Sequence, residues 1–124
     1  MKILVVEDTE DSRTIFRVML ESFGHEVLEA ADGEQALRIA LKHRPDFVLM
    51  DLRMPALNGL VSTGAMRAIK GLHNVPIVAM TADYSADIRD SALTAGCNDC
   101  IAKPITREEL GDIIRKYAPD DDEL

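Results

Sequence analysis

The chain has 124 residues, 47% of them hydrophobic and 29% charged, and a net charge of −8. That size and balance suit one soluble globular domain, and the acidic excess argues against nonspecific nucleic-acid binding, which needs clustered Lys and Arg. The longest apolar runs, residues 3–6 and 47–50, are far too short to span a bilayer.

Met1 stands directly before a strand-like run, leaving no room for the basic and apolar regions of a signal peptide, so the expected location is the cytoplasm. Residues 2–6 read as a continuously apolar, β-branched strand. Residues 11–23 place Ile15, Phe16, Met19, Leu20 and Phe23 at helical spacing, and Gly24 is the stop signal. A short strand over 26–29 and an Asp32-Gly33 turn lead to a helix over 34–43, with Leu37, Ala40 and Leu41 on one face. Pro45 bounds a strand over 46–50. The next helix, 59–70, carries an interior Gly64 that weakens its regularity. Pro76 opens a strand over 77–80, and residues 86–95 form a helix between a Ser85 cap and a Gly96 stop. A short strand over 100–102 follows. Thr106 and Glu109 make a capping box for a last helix through Tyr117, with Leu110, Ile113 and Ile114 on its apolar face.

Five strands alternating strictly with five helices predict an α/β fold, a parallel sheet with right-handed crossovers and helices on both faces. Three strands are apolar at nearly every position, the pattern of strands covered on both sides. The acidic run 120–123 reads as a solvated tail to a domain over residues 1–118. Cys97 and Cys100 form a C-x-x-C, yet the pair leads into a strand instead of opening a helix, and His25, His43 and His73 are scattered. Neither a thioredoxin-like role nor a zinc site is expected.

In a parallel α/β sheet, ligands bind outside the carboxyl ends of the strands. Those ends carry Glu7 and Asp8 after the first strand, Asp51 after the third, Thr81 after the fourth and Lys103 after the fifth. Taken singly, Asp8 would be a helix cap, Thr81 a turn residue and Lys103 a solvated lysine. Taken together, they supply the parts of a phosphoryl-transfer site. Three crowded carboxylates repel one another, and a hard divalent cation such as Mg²⁺ relieves that repulsion. A carboxylate can act as nucleophile to give an aspartyl phosphate. The transferring group spreads charge over its equatorial oxygens, which Lys103 can neutralise and the Thr81 hydroxyl can bond.

At these residues the sequence closely resembles the receiver domains of two-component response regulators. The matches are Val5-Val6-Glu7-Asp8, Leu49-Met50-Asp51-Leu52-Arg53-Met54-Pro55, Asn58-Gly59, Met80-Thr81-Ala82 and Ala102-Lys103-Pro104. The resemblance runs from Met1 to about Tyr117. It implies a doubly wound, flavodoxin-like sheet in the order 2-1-3-4-5. It also implies Asp51 as the phosphoryl acceptor, Asp8 and Asp51 as direct Mg²⁺ ligands, Glu7 as a ligand through water, and the Arg53 backbone carbonyl as a further ligand. Lys103 then pairs with the phosphoryl group, a cis bond to Pro104 sets its entry, and Thr81 follows the phosphoryl group inward. The implied partners are a histidine kinase or histidine phosphotransfer protein as donor and a downstream protein as target, with no direct contact to nucleic acid or membrane. The chain would assist its own phosphorylation and dephosphorylation without being an enzyme for an outside substrate.

One departure is plain. The family usually carries Tyr or Phe three residues before the lysine, and here that position is Cys100. Activation is therefore expected to shift the Thr81 to Tyr84 loop and the helix after it without a ring movement. Arg53 and Asp83, each two residues beyond a site residue, are expected to flank the pocket mouth, where an exposed ion pair would govern water access. A haloacid-dehalogenase-like phosphatase would use similar groups but needs an acid where this chain has Arg53. A receiver that signals without phosphorylation typically lacks one of the residues kept here. No effector domain follows Tyr117, so the chain reads as a stand-alone regulator or as a receiver cut from a longer protein.

Overall fold

Parallel hydrogen bonding organises the molecule, a computed structural model that describes residues 1–53 and 58–117. The five strands are β1 (Lys2–Val6), β2 (Glu26–Ala30), β3 (Phe47–Asp51), β4 (Ile77–Thr81) and β5 (Asp99–Ala102). They form one sheet in the order β2-β1-β3-β4-β5, every pair parallel. The helices are α1 (Glu10–Ser22), α2 (Gly33–His43), α3 (Gly59–Arg67), α4 (Ala86–Ala95) and α5 (Arg107–Tyr117). The expected doubly wound α/β architecture is the one observed.

Side-chain alternation explains the continuous apolar strands. Ile3, Val5, Phe47, Leu49, Val78 and Met80 point to one face, where Phe16 and Leu20 of α1 and Leu110, Ile113 and Ile114 of α5 cover them. Leu4, Val6, Val48, Met50, Ile77 and Ala79 point to the other, against Ala36 and Ala40 of α2, Met66 of α3 and Ala92 of α4. Every residue of β3 and β4 is buried, so neither strand has a position left for a polar side chain except where a ligand or partner compensates it.

The caps follow the sequence closely. Asp32 accepts from Gln35 N (2.7 Å), Asn58 from Val61 N (3.0 Å) and Ser85 from Ile88 N (3.1 Å). Thr106 and Glu109 bond reciprocally, Glu109 N to Thr106 Oγ1 and Thr106 N to Glu109 Oε1. Gly96 ends α4 with φ +117°, a left-handed conformation that suits a residue without Cβ.

Most boundaries fall within one residue of expectation, and three of the differences have a local reason. The strands expected over 46–50 and 77–80 run on to include Asp51 and Thr81, because Leu52 N donates to Met80 O (3.0 Å) and Lys103 N to Thr81 O (2.8 Å). The helix expected over 59–70 passes through Gly64 without interruption but stops at Arg67. There the guanidinium leaves the helix surface and takes the carbonyls of the following loop, Leu72 (3.0 Å), His73 (3.2 Å) and Val75 (2.6 Å), together with Gly96 O and Asn98 Oδ1. The acidic tail and Met54-Pro55 lie outside the described residues.

Candidate functional site

The carboxyl rim of the sheet gathers the residues expected there. Glu7 follows β1, and its backbone N–H donates to Ala30 O at the end of β2 (3.0 Å). Its side chain is only 2% exposed, an unusual place for a carboxylate. Asp8 beside it is exposed. Asp8 does not cap α1: the N-cap is Thr9, and no side-chain bond closes that end. Asp51 ends β3 with its side chain 6% exposed. Ligand-type oxygens of Glu7, Asp8 and Asp51 lie within 4.8 Å of one another, the one such acidic or His/Cys group among the described residues.

Lys103 enters from the loop after β5. Its Nζ contacts Glu7 Oε2 directly and lies 3.2 Å from Asp51 Oδ2. The other Asp51 oxygen, Oδ1, accepts from Arg53 N (3.0 Å). Lys103–Pro104 is a cis peptide bond. Thr81 is 2% exposed at the end of the neighbouring strand, and its Oγ1 accepts from Asp83 N (3.0 Å). Lys103 N on Thr81 O ties these two rim residues together.

One cation among these carboxylates leaves the site electrostatically unbalanced. Burial pushes the Glu7 carboxyl up, contact with Lys103 pulls it down, and Asp51 pushes it up again, with a net result of about 7. For Lys103, burial works against the charged ammonium, but contacts with Glu7 and Asp51 outweigh it and hold the group above its ordinary value. Three carboxylates whose oxygens lie within 4.8 Å of one another, two of them buried and sharing a single lysine, are the oxygen donor set a hard divalent cation suits, and the cluster fits Mg²⁺ on that ground.

The loops around the rim carry the second predicted feature. Arg53 Nη1 and Asp83 Oδ2 are 2.8 Å apart, and both side chains are well exposed. Cys97 and Cys100 are buried and unbridged, and burial pushes both thiols up. Cys100 lies on the α4 side of the sheet beside Ala79 and Ala92. No acidic group stands two residues beyond Asp51, where Arg53 places only its backbone N–H on the carboxylate.

Sequence reasoning passed over three arginines and one aspartate. Arg67 and its five acceptors have no motif. Asp99 of β5 receives hydrogen bonds from Arg89, from Tyr117 Oη (2.8 Å) and from Cys100 N (2.8 Å). Burial raises that carboxyl, and these donors outweigh it and hold it below the usual range. Arg13 sits one turn into α1 and reaches back to the Glu7 and Asp8 carbonyls. Its position five residues after Asp8 was the available signal, since helical side chains lean toward the amino end.

Residues 3–115 match the model of the response regulator receiver domain. The chain belongs to that family. Among solved structures it is similar to the receiver domain of the sensor histidine kinase PA1611 from Pseudomonas aeruginosa, crystallised with a magnesium ion coordinated in its active-site cleft. That likeness has 42% identity and a TM-score of 0.87, over 94% of this chain and 95% of that one. It is also similar to the chemotaxis protein CheY4 of Vibrio cholerae (29% identity, TM-score 0.90, 94% and 97% covered). Among curated relatives, the polar-differentiation response regulator DivK of Brucella anthropi is 32% identical over 118 residues, 95% of this chain and 96% of that protein. This receiver domain is therefore a module of two-component signal transduction, in which phosphoryl acceptance is the shared function. No helix among its described residues is long and apolar enough to cross a membrane.

Proposed function

We propose that Asp51 is the phosphoryl acceptor of this receiver domain, that Asp8, Asp51, the Arg53 carbonyl and a water held by Glu7 bind Mg²⁺, and that Lys103 and Thr81 hold the transferred group. The observation that carries this reading is the placement of Asp51. Its carboxylate stands at the end of a wholly buried strand, within 4.8 Å of the Glu7 and Asp8 oxygens and 3.2 Å from the Lys103 ammonium.

Each residue has a separable task. An Asp51 oxygen forms the new O–P bond while the P–N bond to a donor imidazole breaks, and the leaving ring nitrogen takes up a proton. Bound Mg²⁺ supplies positive charge against the phosphoryl oxygens. Lys103, 3.2 Å from Asp51 Oδ2, would add a second positive charge and give up its contact with Asp51 to the incoming group. Arg53 N keeps the acceptor oriented through Oδ1. Thr81, whose oxygen already accepts from Asp83 N, turns its hydrogen to the phosphoryl group and draws the loop to Tyr84 with it. Cys100 leaves no ring to move in response, so the change passes to α4 along that loop. Beryllofluoride with Mg²⁺ is expected to shift amide signals over Ala82 to Ala86, and an unmoved set rejects this route.

The donor is a phosphohistidine on a histidine kinase or histidine phosphotransfer protein, and the output is contact with a downstream protein in the cytoplasm. A cleft of about 300 Å³ beside Lys103, lined by Ile15, Phe16, Met19, Pro104 and Ile105 among others, offers a donor protein apolar surface next to the acceptor. The receiver domain spans residues 1–118 and the acidic tail 119–124, and the domain speeds both gain and loss of its own phosphoryl group. Labelling with acetyl phosphate or phosphoramidate tests the reading. The intact chain is expected to gain one phosphoryl mass in Mg²⁺ and none in EDTA, with no gain for Asp51→Asn. Equal labelling of Asp51→Asn would refute the assignment.

A further inference from the structure

The acidic loop is held by more than its own strand. Arg13 Nη1 donates to Glu7 O (3.0 Å) and also to Asp8 O (3.3 Å), so one nitrogen spans the two consecutive carbonyls behind the two acidic side chains. On its other side Arg13 Nε faces Glu29 Oε1 (3.4 Å), and Glu29 is fixed in turn by Arg17 Nε on its second oxygen (3.3 Å). The Arg13 side chain is 17% exposed, and its bond to Glu7 O is partly shielded from water while that to Asp8 O lies at the surface. Glu7 N on Ala30 O holds the same loop from the β2 side, one residue beyond Glu29.

This arrangement answers a physical problem of the site. Glu7, Asp8 and Asp51 repel one another, and the loop between β1 and α1 is free to relieve that repulsion by turning its carbonyls and carrying the carboxylates apart. Arg13 Nη1, shared between both carbonyls and kept in place by the Nε contact with Glu29, blocks the turn, because rotating either peptide breaks a bond to a partly buried charged donor. We infer that Arg13 is a positioning residue for the cation site: it clamps the Glu7–Asp8 backbone to Glu29 of β2 and so keeps the acidic side chains converged when no cation joins them. The inference rests on the proposed Mg²⁺ site, and it predicts that geometry matters beyond charge. A lysine at residue 13 keeps the positive charge but has one nitrogen, whereas arginine reaches the two carbonyls through Nη1 and Glu29 through Nε of one rigid plane.

The test compares wild type with Arg13→Ala, Arg13→Lys and Glu29→Gln. In metal-free protein, hydrogen exchange at the Glu7 amide, which donates to Ala30 O from this loop, is expected to speed up in both Arg13 variants and more modestly in Glu29→Gln. Mg²⁺ affinity, read by titration of amide signals, is expected to weaken about 10-fold in both Arg13 variants, the scale seen when a group that orients a metal ligand is removed. Unchanged exchange and affinity in Arg13→Ala would overturn the inference, as would full restoration by Arg13→Lys. If Arg13→Ala fails to fold, Glu29→Gln carries the same comparison, and wild-type behaviour in both measurements then overturns the clamp. A wild-type chain that binds no Mg²⁺ would defeat the proposed site itself, and the metal-free exchange would still decide whether Arg13 holds the loop.

Discussion

Each rim of the sheet carries a shielded cation, and the two are surrounded in opposite ways. At the amino rim Arg67 donates to four backbone carbonyls and the Asn98 amide oxygen, all neutral, and it stitches the α3–β4 and α4–β5 loops together. Burial lowers its pKa, and its acceptors satisfy its geometry without adding charge. At the carboxyl rim Lys103 faces Glu7 and Asp51, carboxylates that repel each other as well as attract it. One end is complete in itself. The other is short of positive charge and is completed by what it binds, the pattern expected where a fold gives up stability for function.

Three experiments break or sharpen this contrast. The largest effect belongs to the complete end. Arg67→Ala strands several loop carbonyls and is expected to cost ~3–5 kcal/mol, or ~10–15 °C in melting temperature, while the folded fraction still takes phosphoryl label. A loss under ~1 kcal/mol would show that water replaces the arginine freely.

The intermediate effect tests the incomplete end through pH. Burial pushes the Glu7 carboxyl up to about 7 in the folded chain, against the ordinary 4.5 of a carboxyl in the unfolded chain. A raised carboxyl means the folded state holds its proton more tightly, so its stabilising share is full below the unfolded value and is lost as pH rises through about 7. Metal-free protein is therefore expected to unfold at lower urea at pH 8 than at pH 5.5, by ~1 M. Glu7→Gln should flatten that slope, and a slope unchanged in the variant would remove Glu7 as its source. The smallest effect concerns Arg53 and Asp83. Their exposed pair is worth ~0–1 kcal/mol, so Arg53→Ala should barely move the melting temperature. By opening the mouth to water it should shorten the aspartyl phosphate lifetime ~3-fold, a change of under ~1 kcal/mol in the barrier. An unchanged decay rate would count the pair as decoration.

What could be read from the residues alone divides along similar lines. Strand and helix periodicity, Ser85, Gly96 and the Thr106–Glu109 box marked the elements, because each rests on contacts within a few residues. The rim residues were legible because β-strands in a parallel sheet deliver their last residues to a common edge. Arg67, Arg89 and Asp99 were not, since Gly96 and Asn98 for Arg67, and Arg89 and Tyr117 for Asp99, lie 10 or more residues away in the chain and only folding brings them into reach. Asp51 and Thr81 were read as lying past their strands because polar side chains suggest an end, whereas ladder bonds from Leu52 and Lys103 carry the strands through them. The raised Glu7 carboxyl was legible only as the general statement that crowded acids repel. Which of the three is raised depends on burial that the sequence does not display.

Gly59 opens α3 directly beneath the end of β3. A Cβ built there would stand 2.8 Å from Leu52 Cα and closer still to the Asp51 carbonyl oxygen. Even one methyl group at residue 59 would therefore have to pry the Asp51 backbone out of the sheet. The helix α3 and the strand β3 meet with no side chain as cushion, so a displacement of one is a displacement of the other.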